Sequence, residues 1–295
     1  MKAKVVDGWP RDNAIRILLT DTDSSQVNAI RRALISDVPK LAISRVNITQ
    51  GVVENDGQVM ESVNVLPDEV LAHRLAMIPI PTYHDEFCFL EDDPGNAGLP
   101  KEEWGTPASQ VIYHCSVRGT PEGKLVTAGD LNVLGEEKLQ IPETYRGIPI
   151  TKLYSGQYLE FYAYAVLGKG SQHSKWNPVS GVAYTPRKIA NVAKPKKAKA
   201  LWDLNLTITS KDFTGGKLDD VQKVETLVRE MHHVGDGTAR ISDFADAITI
   251  DEVDGEFIFS FDTDGSMSAR TAFDMAAKSL SDRFSNLSNE LENEI

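Results

Sequence analysis

The last part of the chain carries an amphipathic pattern that is longer than a small domain needs. From Phe273 onward, apolar residues recur at three- and four-residue spacing, which predicts one long helix with a single apolar stripe. The stripe contains Phe273, Ala276, Ala277, Leu280, Phe284, Leu287 and Leu291. Either this helix covers a sheet of its own chain or part of the stripe is an interface with a partner, and the pattern leaves both open.

A second amphipathic helix is predicted near the beginning of the chain. Residues 14–19 (AIRILL) resemble a buried strand, and the following TDTDSS offers N-cap oxygens for a helix that begins near Ser24 and ends before Pro39. The apolar face of this helix contains Val27, Ile30, Ala33 and Leu34. Because both ends of the chain carry a helix beside strands, we expect the ends to pack together and the middle to be an insertion.

The middle of the chain has the pattern of a mostly antiparallel sheet. LAISRVNIT and GVVEN alternate with period two, and Asn55, Asp56 and Gly57 have hairpin-turn composition. A helix is predicted at residues 67–77, an acidic surface loop at 83–107, and further strands up to residue 184.

A small α/β segment is predicted at residues 186–251. We expect LWDLNLTIT to be a strand, VQKVETLVREMHHV a helix, and ARISDFADAITI a short helix leading into a strand. Its packing is expected to use Trp202, Leu204, Leu206, Val224, Leu227, Phe244 and Ile248. The expected fold class is α+β: a split domain of strands and two amphipathic helices, interrupted by a mostly antiparallel β insert and by this small cysteine-free insert.

Composition restricts the class of protein. With 41% hydrophobic and 25% charged residues among 295, we expect a folded globular chain. The formal net charge of -12 argues against a surface that binds nucleic acid throughout, because phosphate binding depends on clustered Lys and Arg. The exception is the basic run at residues 187–199, which is either a solvated linker or a strip that faces phosphate or a partner.

Three features indicate the compartment. The first residues lack the apolar core of a signal peptide, no apolar run is long enough to cross a bilayer, and two cysteines are too few for a disulfide framework. We therefore expect a cytoplasmic location.

Catalytic residue types are scattered along the sequence. A zinc site built from His84, Cys88, His114 and Cys115 would gather at most three ligands, because the adjacent His114 and Cys115 point to opposite faces of a strand. Phosphate-loop, nucleophile and metalloprotease motifs are absent. We therefore predict no catalytic residue and no metal ligand in this chain.

Three segments, taken in order, resemble one known family. They are NAIRRALISDVPKLAI at residues 28–43, DEVLAHRLAMIPIP at 68–81 and AYAVLGKGSQHSKWNPV at 163–179, with TAGDL at 127–131 before the last. Residues 259–280 (FSFDTDGSMSARTAFDMAAKSL) resemble the closing strand and helix of the same family. The family is the D-type subunit of archaeal DNA-directed RNA polymerase, which is similar to the third-largest subunit of eukaryotic RNA polymerase II and to the N-terminal part of the bacterial α subunit.

The resemblance implies an assembly platform for transcription. Nucleotidyl transfer, and the Mg²⁺ that it uses, would belong to the large catalytic subunits of the complex. Residues 1–50 and 252–295 would form a discontinuous dimerisation domain, 51–185 a β-rich insert domain, and 186–251 a small additional domain at the place of the family's ferredoxin-like domain. Expected partners are subunit L in a heterodimer, the second-largest subunit and the small zinc-binding subunits; DNA would be met only through the complex, and no membrane is involved.

The resemblance also implies residue roles. Dimerisation would use Val27, Ile30, Leu34, Phe273, Ala277, Leu280, Phe284 and Leu287. Docking of the large and small subunits would use Asn28, Arg31, Arg32, Asp68, Glu69, His73, Arg74, His173, Lys175, Trp176 and Pro178.

Two departures from the family pattern concern the metal sites of the family. Many family members hold iron–sulfur clusters in the ferredoxin-like domain, whereas residues 186–251 contain no cysteine. Eukaryotic relatives have a cysteine-rich zinc loop, of which only Cys88 and Cys115 remain here. We expect neither an iron–sulfur cluster nor zinc in this chain.

Two other functions stay open: a free-standing nucleic-acid-binding or regulatory protein that uses residues 187–199, and a metal-dependent enzyme built on the histidines.

Overall fold

The computed structural model describes residues 1–6, 11–55, 58–62 and 66–294. Its helices are α1 Ser24–Ser36, α2 Asp68–Ala76, α3 Pro195–Trp202, α4 Val221–Gly235, α5 Ile241–Phe244 and α6 Ala269–Glu294. Its strands are β1 Lys2–Val5, β2 Ala14–Thr20, β3 Pro39–Ile48, β4 Val52–Asn55, β5 Gln58–Glu61, β6 Gln110–Arg118, β7 Lys124–Thr127, β8 Asn132–Val133, β9 Pro149–Leu153, β10 Tyr158–Lys169, β11 Val179–Val192, β12 Lys217–Leu218 and β13 Ile248–Thr263. Each described helix is too short or too polar to cross a membrane.

Most of the predicted elements are present. The hairpin turn expected around Asp56 and Gly57 lies outside the described residues, and β4 and β5 on either side of it pair antiparallel. The mixed α+β class with antiparallel sheets is confirmed. The three-domain division remains a prediction.

The chain divides into two compact units, of which the first consists of Met1–Pro10, Ile15–Asn28 and Ala183–Ser260. Its framework is a five-stranded sheet in the order β1-β2-β13-β11-β12. A buried apolar cluster joins helices α3, α4 and α5 to β11, β12 and β13. Asp220 caps α4, because its Oδ1 accepts a hydrogen bond of 2.9 Å from the Lys223 amide.

The core predicted for residues 186–251 forms, but one predicted strand does not. Val224, Leu227, Phe244 and Ile248 are buried, and the other three predicted residues pack half-buried against the same core. LWDLNLTIT is not a strand, because its first two residues end α3, whose buried face includes Leu201. Asn205 then adopts a φ of 55°, in the left-handed region, which an extended strand does not allow.

The basic run at residues 187–199 is not a linker. Strand β11 continues through residue 192, and α3 begins at Pro195. Arg187 forms ion pairs with Asp219 and Glu256, so this side chain is used within the first unit.

The second unit consists of Arg11–Ala14, Ala29–Val182 and Phe261–Ile295. A four-stranded antiparallel sheet in the order β3-β10-β6-β8 supports it. Leu71 and Leu75 of α2 are fully buried in one core cluster with sheet residues. This packing fixes α2 with its polar residues outward.

The acidic loop at residues 83–107 contains no strand, yet it is organised around one carboxylate. Asp93 is buried and accepts hydrogen bonds from the hydroxyls of Ser109 and Thr106 and from the amide of Gly95. These hydrogen bonds, led by that of Ser109, hold the pKa of Asp93 below its ordinary value. The loop therefore has a polar centre in place of an apolar core.

Candidate subunit-docking surfaces

The distal half of α6 has no intramolecular cover. Every described side chain from Ser281 to Glu292 is exposed, including Phe284 at 69%, Leu287 at 52% and Leu291 at 53%. We call these last three residues the apolar stripe. A helical segment of this length is marginal in water by itself, since most helical stability in proteins comes from packing of an apolar face. The apolar stripe is therefore the strongest candidate for a docking surface.

The proximal half of α6 packs on its own unit. Ala269, Ala272 and Ala276 are fully buried. Phe273 and Leu280 are half-buried, and Ala277 is exposed. The first interpretation thus holds for this proximal part of the helix, and the partner interface remains a prediction for the exposed distal part.

An ion pair holds α6 where its cover ends. Arg283 NH2 lies 2.6 Å from Oδ1 of Asp37, whose side chain is only 5% exposed. At the other end of the helix, the Ala269 amide donates a 2.9 Å hydrogen bond to the Asp12 carbonyl. The Thr271 amide donates one of 3.1 Å to the Ser268 hydroxyl, as at an N-cap.

Three residues expected at the dimerisation surface lie in the core of this chain. Val27 and Leu34 are fully buried, and Ile30 is 7% exposed. Their spacing indicates an apolar face, but that face is covered by the chain itself. A partner that meets the described structure therefore does not reach these side chains.

The polar residues of α1 differ in accessibility. Arg32 is exposed. Asn28 and Arg31 are half-buried and have interactions of their own within the molecule. Of these three predicted docking residues, Arg32 is the one most open to a partner.

The predicted docking residues of α2 form a polar outer surface. Glu69 and His73 are exposed. Asp68 accepts a 3.0 Å hydrogen bond from the Gln50 side chain, and Arg74 NH1 donates one of 2.6 Å to the Ile150 carbonyl. Asp68 and Arg74 thus have partners within the second unit, and Glu69 and His73 are the accessible residues of this predicted set without such a hydrogen bond.

One loop carries four of the predicted docking residues, and most of its contacts are within the second unit. These residues are His173, Lys175, Trp176 and Pro178. The Trp176 indole donates a 3.1 Å hydrogen bond to the Val166 carbonyl, and Pro178 is buried. Lys175 Nζ lies 4.2 Å from the Trp176 ring centroid, and burial lowers the pKa of this ammonium group. The exposed His173 accepts a 3.1 Å hydrogen bond from the Lys175 amide at Nδ1. Trp176 and Pro178 therefore position this loop, and His173 is its accessible residue.

Two ion pairs that shape these surfaces were not expected from the sequence. One joins Arg283 to Asp37, and the other joins Asp264 to Lys40, which is 3% exposed. Each joins residues far apart in the chain, so no local spacing indicates it. A lysine inside the apolar strand pattern PKLAI was the one available signal for the second pair.

The basic segment retains a few accessible lysines. Lys194 pairs with Asp246 at 3.3 Å, and Lys197 Nζ donates to the Ala245 carbonyl at 3.3 Å. The exposed lysines of this segment also include Lys188, Lys196 and Lys199. The positive charge available to an anion is thus smaller than the sequence of this run indicates.

The histidines and cysteines do not gather. Within residues 1–6, 11–55, 58–62 and 66–294, no three His, Cys, Asp or Glu side chains are placed to hold one metal ion. Burial raises the pKa of the Cys115 thiol to about 12. His114, the adjacent residue, lies 3.3 Å from Glu160. The expectation of a chain without metal remains a prediction.

Comparison with known proteins agrees with the motifs in the sequence. Residues 16–284 match the family model described as RNA polymerase Rpb3/Rpb11 dimerisation domain. Over 282 residues, 95% of this chain and 97% of the relative, the sequence is 30% identical to DNA-directed RNA polymerase subunit Rpo3 of Picrophilus torridus. It is 32% identical to Rpo3 of Thermoplasma volcanium, over 88% of this chain and 89% of that one. It is 26% identical to subunit RPAC1 of DNA-directed RNA polymerases I and III of Saccharomyces cerevisiae, over 92% and 82%.

These matches confirm the resemblance to the archaeal D-type subunit, for which Rpo3 is another name. They span nearly the whole chain and include residues of both units. The chain therefore belongs to the RNA polymerase Rpb3/Rpb11 dimerisation-domain family.

Proposed function

We propose that this chain is a non-catalytic assembly subunit of a DNA-dependent RNA polymerase. In this proposal it pairs with a smaller subunit, L in the archaeal naming, and the pair docks the large catalytic subunits for transcription. The observation that carries the proposal is the apolar stripe of α6, which nothing in the described chain covers.

The free energy available from this stripe is considerable. Full burial of a Leu or Phe side chain contributes about 1.5–3 kcal/mol, so covering side chains that are at least half exposed would contribute about 1–2 kcal/mol each. Covering all three would also stabilise the helical turns that carry them, because an uncovered helix end frays. A partner that presents an apolar helix of its own would match this narrow surface.

The proposed dimerisation domain is residues 1–50 with 252–295. Two backbone hydrogen bonds support the joining of these two segments: Thr263 donates to the Asn13 carbonyl at 2.7 Å, and Ala269 donates to the Asp12 carbonyl at 2.9 Å. The insert at residues 51–185 would carry surfaces for the second-largest subunit and the small zinc-binding subunits, and residues 186–251 would be a separate addition.

Exposure selects the residues proposed to touch these partners. They are Arg32, Glu69, His73 and His173. Buried or internally paired members of the predicted docking set, such as Pro178 and Arg74, would act by positioning the elements that carry them.

The active site would lie elsewhere in the complex. Mg²⁺ and nucleotidyl transfer would belong to the catalytic subunits, and this chain would contain neither zinc nor an iron–sulfur cluster. A cytoplasmic location fits this role and remains a prediction.

A nucleic-acid-binding function for residues 187–199 is less well supported. Arg187, Lys194 and Lys197 already have partners within the first unit. The remaining lysines are few for a protein of net charge -12.

The test is co-purification after co-expression with the proposed L partner and the large chains. We expect a stoichiometric complex that Leu287→Asp with Leu291→Asp weakens by roughly tenfold or more, because two carboxylates would be placed in an apolar interface. The matched control, Ser285→Asp with Asn289→Asp, adds the same charge to exposed positions on another side of the helix and should leave the affinity unchanged. Normal affinity of the first variant would refute the assignment of this face. Absence of the unaltered chain from the complex would refute the function itself.

A further inference from the structure

A preformed groove lies beside the first turns of α6, apart from the apolar stripe. It belongs entirely to the second unit, and its cavity volume is about 750 Å³. Its lining includes the segment at residues 81–86 and, from a later part of the chain, Met267, Thr271 and Met275.

Hydrogen bonds hold the walls of this groove in place. The amide of Thr82 donates a hydrogen bond of 2.9 Å to the carbonyl of Ser266. The hydroxyl of Thr82 accepts one of 3.0 Å from the amide of Leu41. His84 Nε2 lies 2.9 Å from the Pro39 carbonyl oxygen. A groove fixed in this way loses little conformational entropy when it is filled.

Part of the groove lining is apolar. Met267 is buried and Met275 is half-buried, and the Tyr83 side chain that also lines the groove is 40% exposed. Methionine side chains adjust their shape to the group that contacts them, and tyrosines are common anchors at interfaces. The groove is therefore suited to an apolar side chain of a partner.

The groove is also lined by acidic residues. Asp12 and Asp85 are exposed, and within the described part of the chain neither lies in an ion pair. Lys138, the lysine that lines the groove, is already paired with Glu86 and Glu136. A groove that combines an apolar part with exposed carboxylates is complementary to a segment that presents an apolar side chain next to Lys or Arg.

The groove and the apolar stripe lie on opposite flanks of α6. At about 100° per residue, Met275 is half a turn around the helix axis from Phe284, and Thr271 is nearly as far from Leu287. A partner seated on the apolar stripe thus leaves the groove open to another chain.

We propose that this groove docks a short basic segment of a chain other than the one that covers the apolar stripe. The proposal rests on the proposed function, because the second partner is taken to be a neighbouring chain of the assembled polymerase. Helix α6 then joins two different neighbours, one on each flank.

The test compares two photo-cross-linking probes in the purified complex. A photoreactive phenylalanine analogue replaces Tyr83 in one preparation and Leu287 in another, and the cross-linked peptides are identified by mass spectrometry. We expect the probe at position 83 to capture a Lys- or Arg-rich segment of a chain that the probe at position 287 does not capture. No cross-link at position 83, a cross-link to nucleic acid, or capture of the same chain at both positions would overturn the proposal. If the probe at position 287 also captures no chain, the result contradicts the proposed function.

A charge-reversal pair tests the acidic residues separately. Asp12→Lys with Asp85→Lys should reduce the occupancy of the second partner roughly tenfold or more at low ionic strength, and this loss should shrink as salt is added. Pairing through the apolar stripe should persist, which shows that the variant is folded. The control Glu54→Lys with Glu122→Lys changes two other exposed carboxylates of the second unit. Equal loss in both variants, or loss in neither, would refute the role of these carboxylates.

Discussion

Arg283 of α6 lies 2.6 Å from the buried carboxylate of Asp37, one residue beyond the end of α1. The contact marks the end of the covered part of α6, since the described side chains beyond it are all exposed. Holding the helix at this point sets the direction in which the apolar stripe extends. One ion pair thus connects the packing of the second unit to the surface that we assign to a partner.

Removing the arginine should loosen this helix. Arg283→Ala leaves the Asp37 carboxylate buried without its cation, and we expect a loss of about 1–2 kcal/mol in the free energy of unfolding, less than for a fully buried pair because the arginine is 63% exposed. Urea denaturation followed by circular dichroism measures the change. Arg270→Ala is the control on the same helix, because Arg270 and Asp274 form an exposed pair that should contribute little. Equal effects of the two substitutions would show that the contact with Asp37 contributes no more to the free energy of unfolding than an exposed ion pair does.

The buried pair of Lys40 and Asp264 should show strong coupling. Asp264→Asn leaves a lysine that is 3% exposed without its carboxylate, and we expect a destabilisation of about 3 kcal/mol. Adding Lys40→Met should recover most of that loss, since no buried charge then remains. A double-mutant cycle from chemical denaturation gives the coupling energy. Additive effects of the two substitutions would contradict the pairing.

Gly168 should tolerate no side chain. A Cβ at this position would overlap atoms of the Trp176 ring, and the ring is held by its hydrogen bond to the Val166 carbonyl. We expect Gly168→Ala to cost about 1–3 kcal/mol and to shift the tryptophan fluorescence, because the ring and its loop must move. At Gly135 a Cβ would meet nothing within 4 Å, so Gly135→Ala is the matched control. An unchanged spectrum and stability for Gly168→Ala would show that the ring does not pack there.

The stability of the first unit should depend on pH through Asp212. The hydrogen bond and charge of Lys223, 2.7 Å away, together with hydrogen bonds from Thr209, lower the pKa of Asp212 to about 2. Because the folded-state pKa is depressed, this contribution to stability is present above the unfolded-state pKa of about 3.9 and is lost as the pH falls toward the folded-state value.

The variant Asp212→Asn should therefore be less stable than the unaltered protein at neutral pH, and the difference should shrink between about pH 4 and about pH 2. Thermal or urea unfolding at several pH values measures it. Asp243→Asn, an exposed position of the same unit, should show no such pH-dependent difference. A difference that stays constant across this acidic range would mean that the carboxylate of Asp212 is not the group involved.

Local patterns in the sequence were sufficient to predict most helices and strands, and motifs spread along the chain were sufficient to identify the family. Helix α6 and its stripe follow from apolar spacing within the helix itself, and spacing of this kind needs no knowledge of distant residues. The same rule failed at LWDLNLTIT, where helical packing of Leu201 and the left-handed Asn205 decided the conformation.

The tertiary structure alone decided which apolar residues remain available. Val27, Ile30 and Leu34 have a helical spacing like that of the apolar stripe, yet they are buried, while Phe284 and Leu287 are not. Spacing shows that a helix has an apolar face, but exposure depends on which distant segments pack against that face. For the same reason the pair of Arg283 and Asp37 and the groove beside α6 could not be predicted, since each is formed by residues that only the folded chain brings together.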